Sequence, residues 1–531
     1  MDVALDKAVD PEHLPGDVGL CHELIRQLLE LVHSKDRHIG VLEHRLEGLL
    51  RARFGPRAEK VDPAQLLLFA RELLAEADSK QAEGEEAEPS EPSPPRRKGH
   101  GRRKLPEHLP RKREVIDVPP AERVCPCCGA EMTQIGEETH EKLEYIPASF
   151  FVLEQVRPKY ACAACQEGGV VVADKPRQAI EKGLPGPGLL SHVITNKYCD
   201  HLPLYRQEQI FARFGVHIPR STQCDWMRSA GDLLGPLVEL MIQRVLSGSS
   251  IHTDDTPIPV LDGTKDRTRT GRLWAYVGDE LHPYTVYDYT PSRARDGPAS
   301  FLEDYEGYLH ADAYGGYDGV YAGEKIIEVL CWAHARRKFF DAQGSDAERA
   351  VMALAYVRRL YAVEREAKEA YERQGVTETS RPLSAIRLAL RQAKSVPLLT
   401  AFKQWLQDQT AGPSPVLPKS PMGQAINYVV NNWDALERYT TKGALDIDNN
   451  AAERAMRPVA LGRKNWLFTG SDNGGKTAAV LYSLVASAKR HGLDVFAYLR
   501  DVIARISDHP SNRLEELLPD HWKLAHMPTE E

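Results

Sequence analysis

Three acidic positions in this chain of 531 residues stand where the local pattern changes character. Residues 250 to 260 carry Asp254 and Asp255, and residues 307 to 317 carry Asp312. In each, a short β-prone run meets an aspartate where turn residues begin, which predicts a strand delivering a carboxylate at its C-terminal end. Neighbouring strand residues point to opposite faces, so only one of Asp254 and Asp255 can look into a given site. The third position is Glu453, in a stretch where Asn449 and Asn450 suit a helix N-cap and Pro458 is expected to close the helix. Glu453 and Arg457 fall one turn apart on one face. A carboxylate on an opening helical turn among Arg454, Arg457, Arg463 and Lys464 suggests a metal held beside phosphate, although an exposed helix with an ordinary ion pair has the same local signature.

Those acids need a frame. Between the two aspartate segments lie two strand-like runs, 271 to 278 and 283 to 289, and a helix expected around Ala299 to Tyr305. The order is three strands, a helix, a strand and, much later, the helix bearing Glu453. Residues 342 to 440 separate the two halves. There Val351, Leu354, Val357 and Tyr361, then Ile386, Leu390, Phe402 and Trp405, then Ile426, Val430 and Trp433 recur at helical spacing, which predicts an all-helical insertion whose apolar stripes are core. After Thr477 two more helices are expected, broken at Gly492.

Composition restricts the partners. The net charge of −8 argues against a uniformly basic coat, so any nucleic-acid contact must come from local patches. No apolar run approaches the roughly 18 residues of a membrane span, and the acidic start is unlike a secretory signal, so a cytoplasmic protein is expected. Nine cysteines in such a chain point to metal or free thiols. Cys125 and Cys128, then Cys162 and Cys165, form two C-x-x-C pairs that read as a zinc ribbon, their thiolates closing a tetrahedral site and Gly129 allowing a tight turn. Cys127 competes for one ligand position. Cys21, Cys199 and Cys224 have no such partner and read as small buried apolar residues. Cys331 and His334 have C-x-x-H spacing but lack a second pair nearby, so a packing role beside the acids is expected.

Further upstream, Ile25, Val32, Ile39 and Leu46 alternate with Leu28, Lys35, Leu42 and Leu49 as the two core positions of a heptad repeat, consistent with a parallel coiled coil or with an amphipathic helix packed on its own domain. Five glutamates from Glu83 to Glu91 precede a Pro-rich step, after which residues 96 to 113 carry nine Lys or Arg and one Glu. That switch reads as a disordered linker whose basic half, including Arg102, Arg103, Lys104, Arg111, Lys112 and Arg113, can hold DNA phosphates by counterion release. Residues 187 to 245 have helix-turn-helix spacing, with a helix from Tyr205 to Phe214, a turn, and Ser221 as N-cap of the next. Such a hairpin can read DNA or pack on the core. Residues 470 to 477 match G-x-x-x-x-G-K-T between a strand-like Trp466 to Phe468 and a helix, but no later strand offers the magnesium-holding aspartate that a nucleotide-phosphate loop requires.

The segments HTDDTP, GYLHADAYGGYDG, CWAHARRKFFD, DIDNNAAERAMRPVALGRKNWLF and GSDNGG, with RFGPRAEK, LPEHLPRKR and PLYRQEQIFARFGVHIPRSTQCDW before them, resemble the transposase of the insertion sequence 66 family. The resemblance covers nearly the whole chain. It implies a multidomain α+β protein with a ribonuclease H-like α/β core of the DDE type. Coiled coil is then assigned to 18–55, linker to 77–115, zinc ribbon to 116–180, the helix-turn-helix-like module to 187–245, catalytic core to 246–475 with the helical insertion at 342–440, and C-terminal helices to 476–531. It also selects Asp254 over Asp255 as the first acid. With Asp312 and Glu453, Asp254 would hold two divalent ions about 3.5 to 4 Å apart, and an all-oxygen site that must admit phosphate suits magnesium, with manganese able to substitute. In this arrangement Asp254 bridges both ions and Glu453 completes the second ion's shell. Implied partners are the terminal inverted repeats of the element and target DNA, a second copy of the chain in a homodimer or higher oligomer, and accessory proteins of the same element, in a bacterial, nucleoid-associated setting. A noncatalytic DNA-binding descendant and a nuclease that does not join strands are the alternatives.

Overall fold

A computed structural model describes residues 149–161, 170–181, 183–261, 267–374, 381–411 and 415–526. The chain divides into two compact units, Met1–Glu154 and Gln155–Glu531, and every element below belongs to the second. The heptads, the basic linker with Arg102, Arg103, Lys104, Arg111, Lys112 and Arg113, and Cys125, Cys128, Cys162 and Cys165 lie outside the described residues.

Strand β1 (Lys159–Ala161) pairs antiparallel with β2 (Val170–Val172). Helices α1 (Pro187–Tyr198), α2 (Leu204–Arg213) and α3 (Arg220–Leu246) follow. Ser221 is not the N-cap of α3. Pro219 holds the extended conformation that starts the helix and places Ser221 within its first turn. Gly215, at φ +76°, makes the turn between α2 and α3 in the left-handed region that glycine tolerates. The inner face of α3, including Trp226, Ala230, Leu234, Leu237 and Met241, is buried in the same core as the sheet described next.

That sheet has five strands. Strands β3 (Ser250–Leu261), β4 (Thr268–Val277) and β5 (Thr285–Thr290) form an antiparallel meander. Helix α4 (Asp296–Phe301) starts earlier than expected and leads into β6 (Gly307–Ala311), and a single turn, α5 (Asp318–Tyr321), leads into β7 (Ile326–Leu330). The order across the sheet is β5-β4-β3-β6-β7, with β6 parallel to both β3 and β7. β3 does not end at its aspartates. Its pairing with β6 covers Ser250 to His252, while its pairing with β4 runs on to Leu261, so Asp254 and Asp255 sit just past the last parallel rung of a continuing strand.

After β7 the chain is helical: α6 (Trp332–Asp341), α7 (Ala347–Gln374), α8 (Leu383–Leu390), a π-helical turn at Arg391–Ser395, α9 (Val396–Ala411), α10 (Pro421–Asn431) and α11 (Trp433–Glu437). These helices close a second core over β7, in which Trp332 and Phe339 meet Val357, Phe402 and Trp433. The buried face of α7 is offset by one residue from the expected stripe. Ala350, Ala353, Val357 and Leu360 are fully inside, whereas Val351, Leu354 and Tyr361 are half-buried. Alanines let helices approach closely, so an interior built on small residues leaves the larger neighbours at its margin. By the same logic Val429 is buried and Val430 exposed.

Helices α12 (Asn450–Trp466), α13 (Asp472–Arg490), α14 (Val495–Arg505), a 3-10 segment at Ser511–Leu517 and α15 (Pro519–His526) complete the fold, more than the two terminal helices expected. Pro458 does not close α12. Proline deprives the Arg454 carbonyl of its helical donor, but at the next carbonyl, Ala455, the Tyr287 hydroxyl donates at 2.6 Å from β5, and Ala452, Met456, Val459 and Gly462 keep the helix buried on both sides of the proline. Trp466 to Phe468 is not a strand: Trp466 ends α12, Leu467 takes φ +66°, and only Thr469 bridges to Val260. The glycine-rich stretch after it starts α13. Ser471 caps it by accepting from Gly474 N–H, and Gly475 lies so close to the Tyr289 ring that a Cβ there would meet it at 2.5 Å. Gly475 therefore serves helix-on-sheet packing.

Candidate functional site

The register of β3 against β6 sets the site. His252 lies opposite His310, and their buried rings stack at 4.0 Å with planes 12° apart. Because side chains alternate along a strand, Asp254 and Asp312, each two residues further on, emerge on that same face above the histidines. Glu453 reaches it from the first turn of α12.

Asn449 fixes that helix start. It is buried, its amide donates to the Thr253 carbonyl at 2.7 Å, its carbonyl meets His252 Nδ1 at 3.1 Å, and its backbone N–H points at Cys331 Sγ at 3.1 Å. Asn449 therefore bridges to β3 and α6 and makes no side-chain capping bond, while Asp448 caps by accepting from Asn450 N–H at 3.1 Å. Glu453 faces His334, whose Nε2 is 3.4 Å from Glu453 Oε1.

The two neighbouring aspartates are in different surroundings. Asp255 is enclosed, its carboxylate 3% exposed, and anchors an arginine clamp: Arg272 Nη1 donates at 2.8 Å, and Arg293 donates from Nε at 3.0 Å and Nη2 at 2.8 Å. Arg293 also stacks over Tyr314 at 3.7 Å and reaches Asp312 at 3.9 Å. Asp254 accepts the Asp255 N–H at 2.8 Å and has no ion-pair partner among the described residues. Burial, and after it the negative charges of Asp312, Asp255 and Glu453, push its carboxyl up to about 7 against the lowering effect of that hydrogen bond. Burial likewise raises Asp312, partly offset by Arg293 and His334. A half-buried carboxylate facing other carboxylates without a neutralising side chain is a place where a divalent cation relieves the charge.

Of the expected phosphate contacts, Arg454, Arg457 and Lys464 are exposed along α12. Arg463 is not free for that role: its guanidinium donates to Thr256 Oγ1 at 3.2 Å and to the Pro257 carbonyl, tying α12 to β3. Sequence reasoning missed Asn449 as a bridge and the Arg272 and Arg293 clamp. It also passed over Arg336, Arg337 and Lys338, exposed on α6 a turn beyond His334. The signal for those three was the ARRK run itself; the bridging role of Asn449 had no local signal.

A family model described as the IS66 family of transposases matches residues 182–477, and a zinc-finger binding domain of the same transposases matches 122–166. An IS66 C-terminal element matches 483–519, and a domain described as the transposase C of IS166 homeodomain matches 41–113. Together they define a transposase. The chain belongs to the IS66 transposase family. In Sinorhizobium fredii (strain NBRC 101917 / NGR234), the uncharacterized protein y4hP is 35% identical over 514 residues, 92% of this chain and 90% of its own length. Two further uncharacterized proteins of that strain are similar: y4jD, 34% identical over 436 residues (79% of this chain, 81% of its own), and y4qI, 32% identical over 521 (94% and 92%). Membership makes DNA the partner and implies use of a divalent metal, and the zinc-finger match at 122–166 points to zinc. No helix among the described residues is long and apolar enough to cross a membrane.

Proposed function

We propose that this chain binds the ends of its insertion sequence and catalyses two-metal DNA strand cleavage and strand transfer, with Asp254, Asp312 and Glu453 as the metal-holding acids of a ribonuclease H-like core. The observation that carries the reading is the register that sets Asp254, two residues beyond His252, and Asp312, two residues beyond His310, side by side at the end of the β3–β6 pairing, with Glu453 on the first turn of a helix whose start Asn449 ties to Thr253. The strand order β5-β4-β3-β6-β7, antiparallel on one side and parallel on the other, supports the core assignment. The donor set is all oxygen, which suits magnesium, with manganese able to substitute. When bound, two such ions activate a water or a DNA 3′-hydroxyl and neutralise the departing 3′-oxygen of an in-line displacement.

The chain's own residues position that chemistry. Asp254, which feels the charges of both Asp312 and Glu453, would be the acid to bridge the two ions. The Asp255 clamp keeps β3 from rotating, and Asn449 holds the Glu453 turn against Thr253. Arg454, Arg457 and Lys464, with the basic segment at 96 to 113, contact phosphate without reading sequence. Zinc at Cys125, Cys128, Cys162 and Cys165 folds the segment between linker and core. Joining two ends requires two active sites, so a homodimer or higher oligomer acts, with the heptads from Ile25 to Leu49 as the pairing element and with small accessory proteins of the element as further partners.

The test is magnesium-dependent cleavage of a duplex carrying the terminal inverted repeat, taken from the DNA flanking the gene, followed by joining of the released 3′ end to a second duplex. Cleavage without joining would identify a nuclease. Binding with neither step would identify a noncatalytic DNA-binding protein.

A further inference from the structure

Cys331, His334 and Glu453 converge beside the acidic site, one donor atom from each lying within 4.8 Å of the others. Cys331 is the N-cap of α6 and His334 stands on its first turn, so the C-x-x-H spacing turns both side chains toward one point. Glu453 arrives from the first turn of α12, and the Asn449 N–H donated to Cys331 Sγ pins the two helix starts together. His334 presents Nε2 to Glu453 at 3.4 Å, while its Nδ1 is buried with no hydrogen-bond partner among the described residues. Thiolate, imidazole and carboxylate form a donor set that selects zinc-class ions and that magnesium, an oxygen-seeking cation, does not favour. The sulfur is fixed by burial, whereas His334 and Glu453, 29% and 36% exposed, have room to close onto an ion and leave a fourth position to water.

We propose that Cys331, His334 and Glu453 form a zinc-class site that shares Glu453 with the acidic centre, so that zinc and the magnesium of the acidic centre compete for one carboxylate. As the zinc–sulfur bond forms, the thiol proton leaves to solvent, and thiolate and carboxylate together neutralise the ion. Zinc drawn to the sulfur side swings Glu453 away from Asp254 and holds the enzyme off. Zinc binding stands on the geometry alone; the competition rests on the proposed role of Glu453.

The test is zinc per chain by elemental analysis of the full-length protein, equilibrated with zinc and dialysed free of loosely held metal. Wild type is compared with Cys331→Ser, His334→Ala and Glu453→Gln. The cysteine pairs at 125 to 165 contribute equally to all four, so wild type is expected to hold one zinc more than each variant. Equal zinc in wild type and His334→Ala overturns the site; because His334 is partly exposed, that variant reports even if the buried Cys331→Ser fails to fold. An extra zinc retained by Glu453→Gln overturns the sharing. In wild type, raising magnesium is expected to weaken the extra zinc about tenfold or more, the scale of change that follows disturbance of a metal's supporting ligands; an affinity indifferent to magnesium overturns the competition. If the zinc results hold and Glu453→Gln still cleaves DNA, the role proposed for Glu453 fails and the zinc site stands.

Discussion

The Asn449 amide donates to the Thr253 carbonyl at 2.7 Å, joining residues 196 positions apart one step before the Glu453 helix and one step before Asp254. At the end that carries two of the three acids, helix and strand are thus fastened by a buried side chain, and Arg463 ties them again further along. The other contacts of Asn449, to His252 and Cys331, extend the same fastening to the stacked histidine layer and to α6.

Asn449→Ala leaves the Thr253 carbonyl buried without that donor. A loss of about 1 to 3 kcal/mol is expected, the cost of an unsatisfied buried polar group, read from denaturant unfolding. DNA binding should persist while cleavage requires more magnesium, because the Glu453 turn is no longer fixed. Unchanged stability together with an unchanged magnesium requirement would show that the bridge is dispensable.

Asp255→Asn acts through the clamp. It leaves Arg272 and Arg293 facing an amide in a nearly closed pocket. A loss of about 2 to 4 kcal/mol is expected, below the figure for a fully buried pair because Arg293 is about a third exposed. Cleavage should fall in step with the folded fraction and remain above that of Asp254→Asn. Greater damage from Asp255→Asn than from Asp254→Asn, in fully folded protein, would reverse their roles.

How far these roles could be read from the sequence depended on distance along the chain. Asp254, Asp312 and strands β3 to β5 announced themselves through β-branched and aromatic runs, although β3 runs on past its aspartates to Leu261. Strand β7 went unseen because Ile326–Leu330 passes into α6 through Cys331 alone, with no turn signal between them. Pro458 misled because a helix-breaking residue was outweighed by burial along α12 and by the Tyr287 donor, which is 168 residues away. Arg272 and Arg293 look like ordinary surface cations until the β3–β4 register places Arg272 diagonally across from Asp255.

Arg391 tests how the helical insertion supports the site. Its side chain is fully buried, bidentate to Glu364 at 2.8 and 2.7 Å, and it donates to the carbonyls of Tyr439 and Lys442 just before the segment leading to Asn449. Arg391→Met leaves Glu364 only the longer pair with Arg387, at 3.8 Å, and strands both carbonyls, so about 3 kcal/mol of stability should be lost. Arg391→Lys should recover little, since an ammonium cannot reproduce the fork. Calorimetric melting of wild type and both variants checks this; near-identical transitions would mean the insertion does not depend on the pair.

Cys128→Ser and Cys165→Ser should each lose about one zinc per chain and destabilise the segment near 120 to 175, because metal binding and folding are coupled in small zinc domains. Folding of the core should survive. Elemental analysis and limited proteolysis together report both effects, and full zinc retention in either variant would remove its cysteine from the ligand set.

The central claim is that Asp254, Asp312 and Glu453 form one metal-dependent centre. Its most direct measurement is magnesium-dependent cleavage of a terminal-repeat duplex by purified Asp254→Asn, Asp312→Asn and Glu453→Gln, alongside a binding assay on the same DNA. Each variant is expected to bind as wild type does and to show no cleavage, since each removes one charge from the cation site and little else. Wild-type cleavage by any one of the three, in folded and DNA-bound protein, would contradict the account.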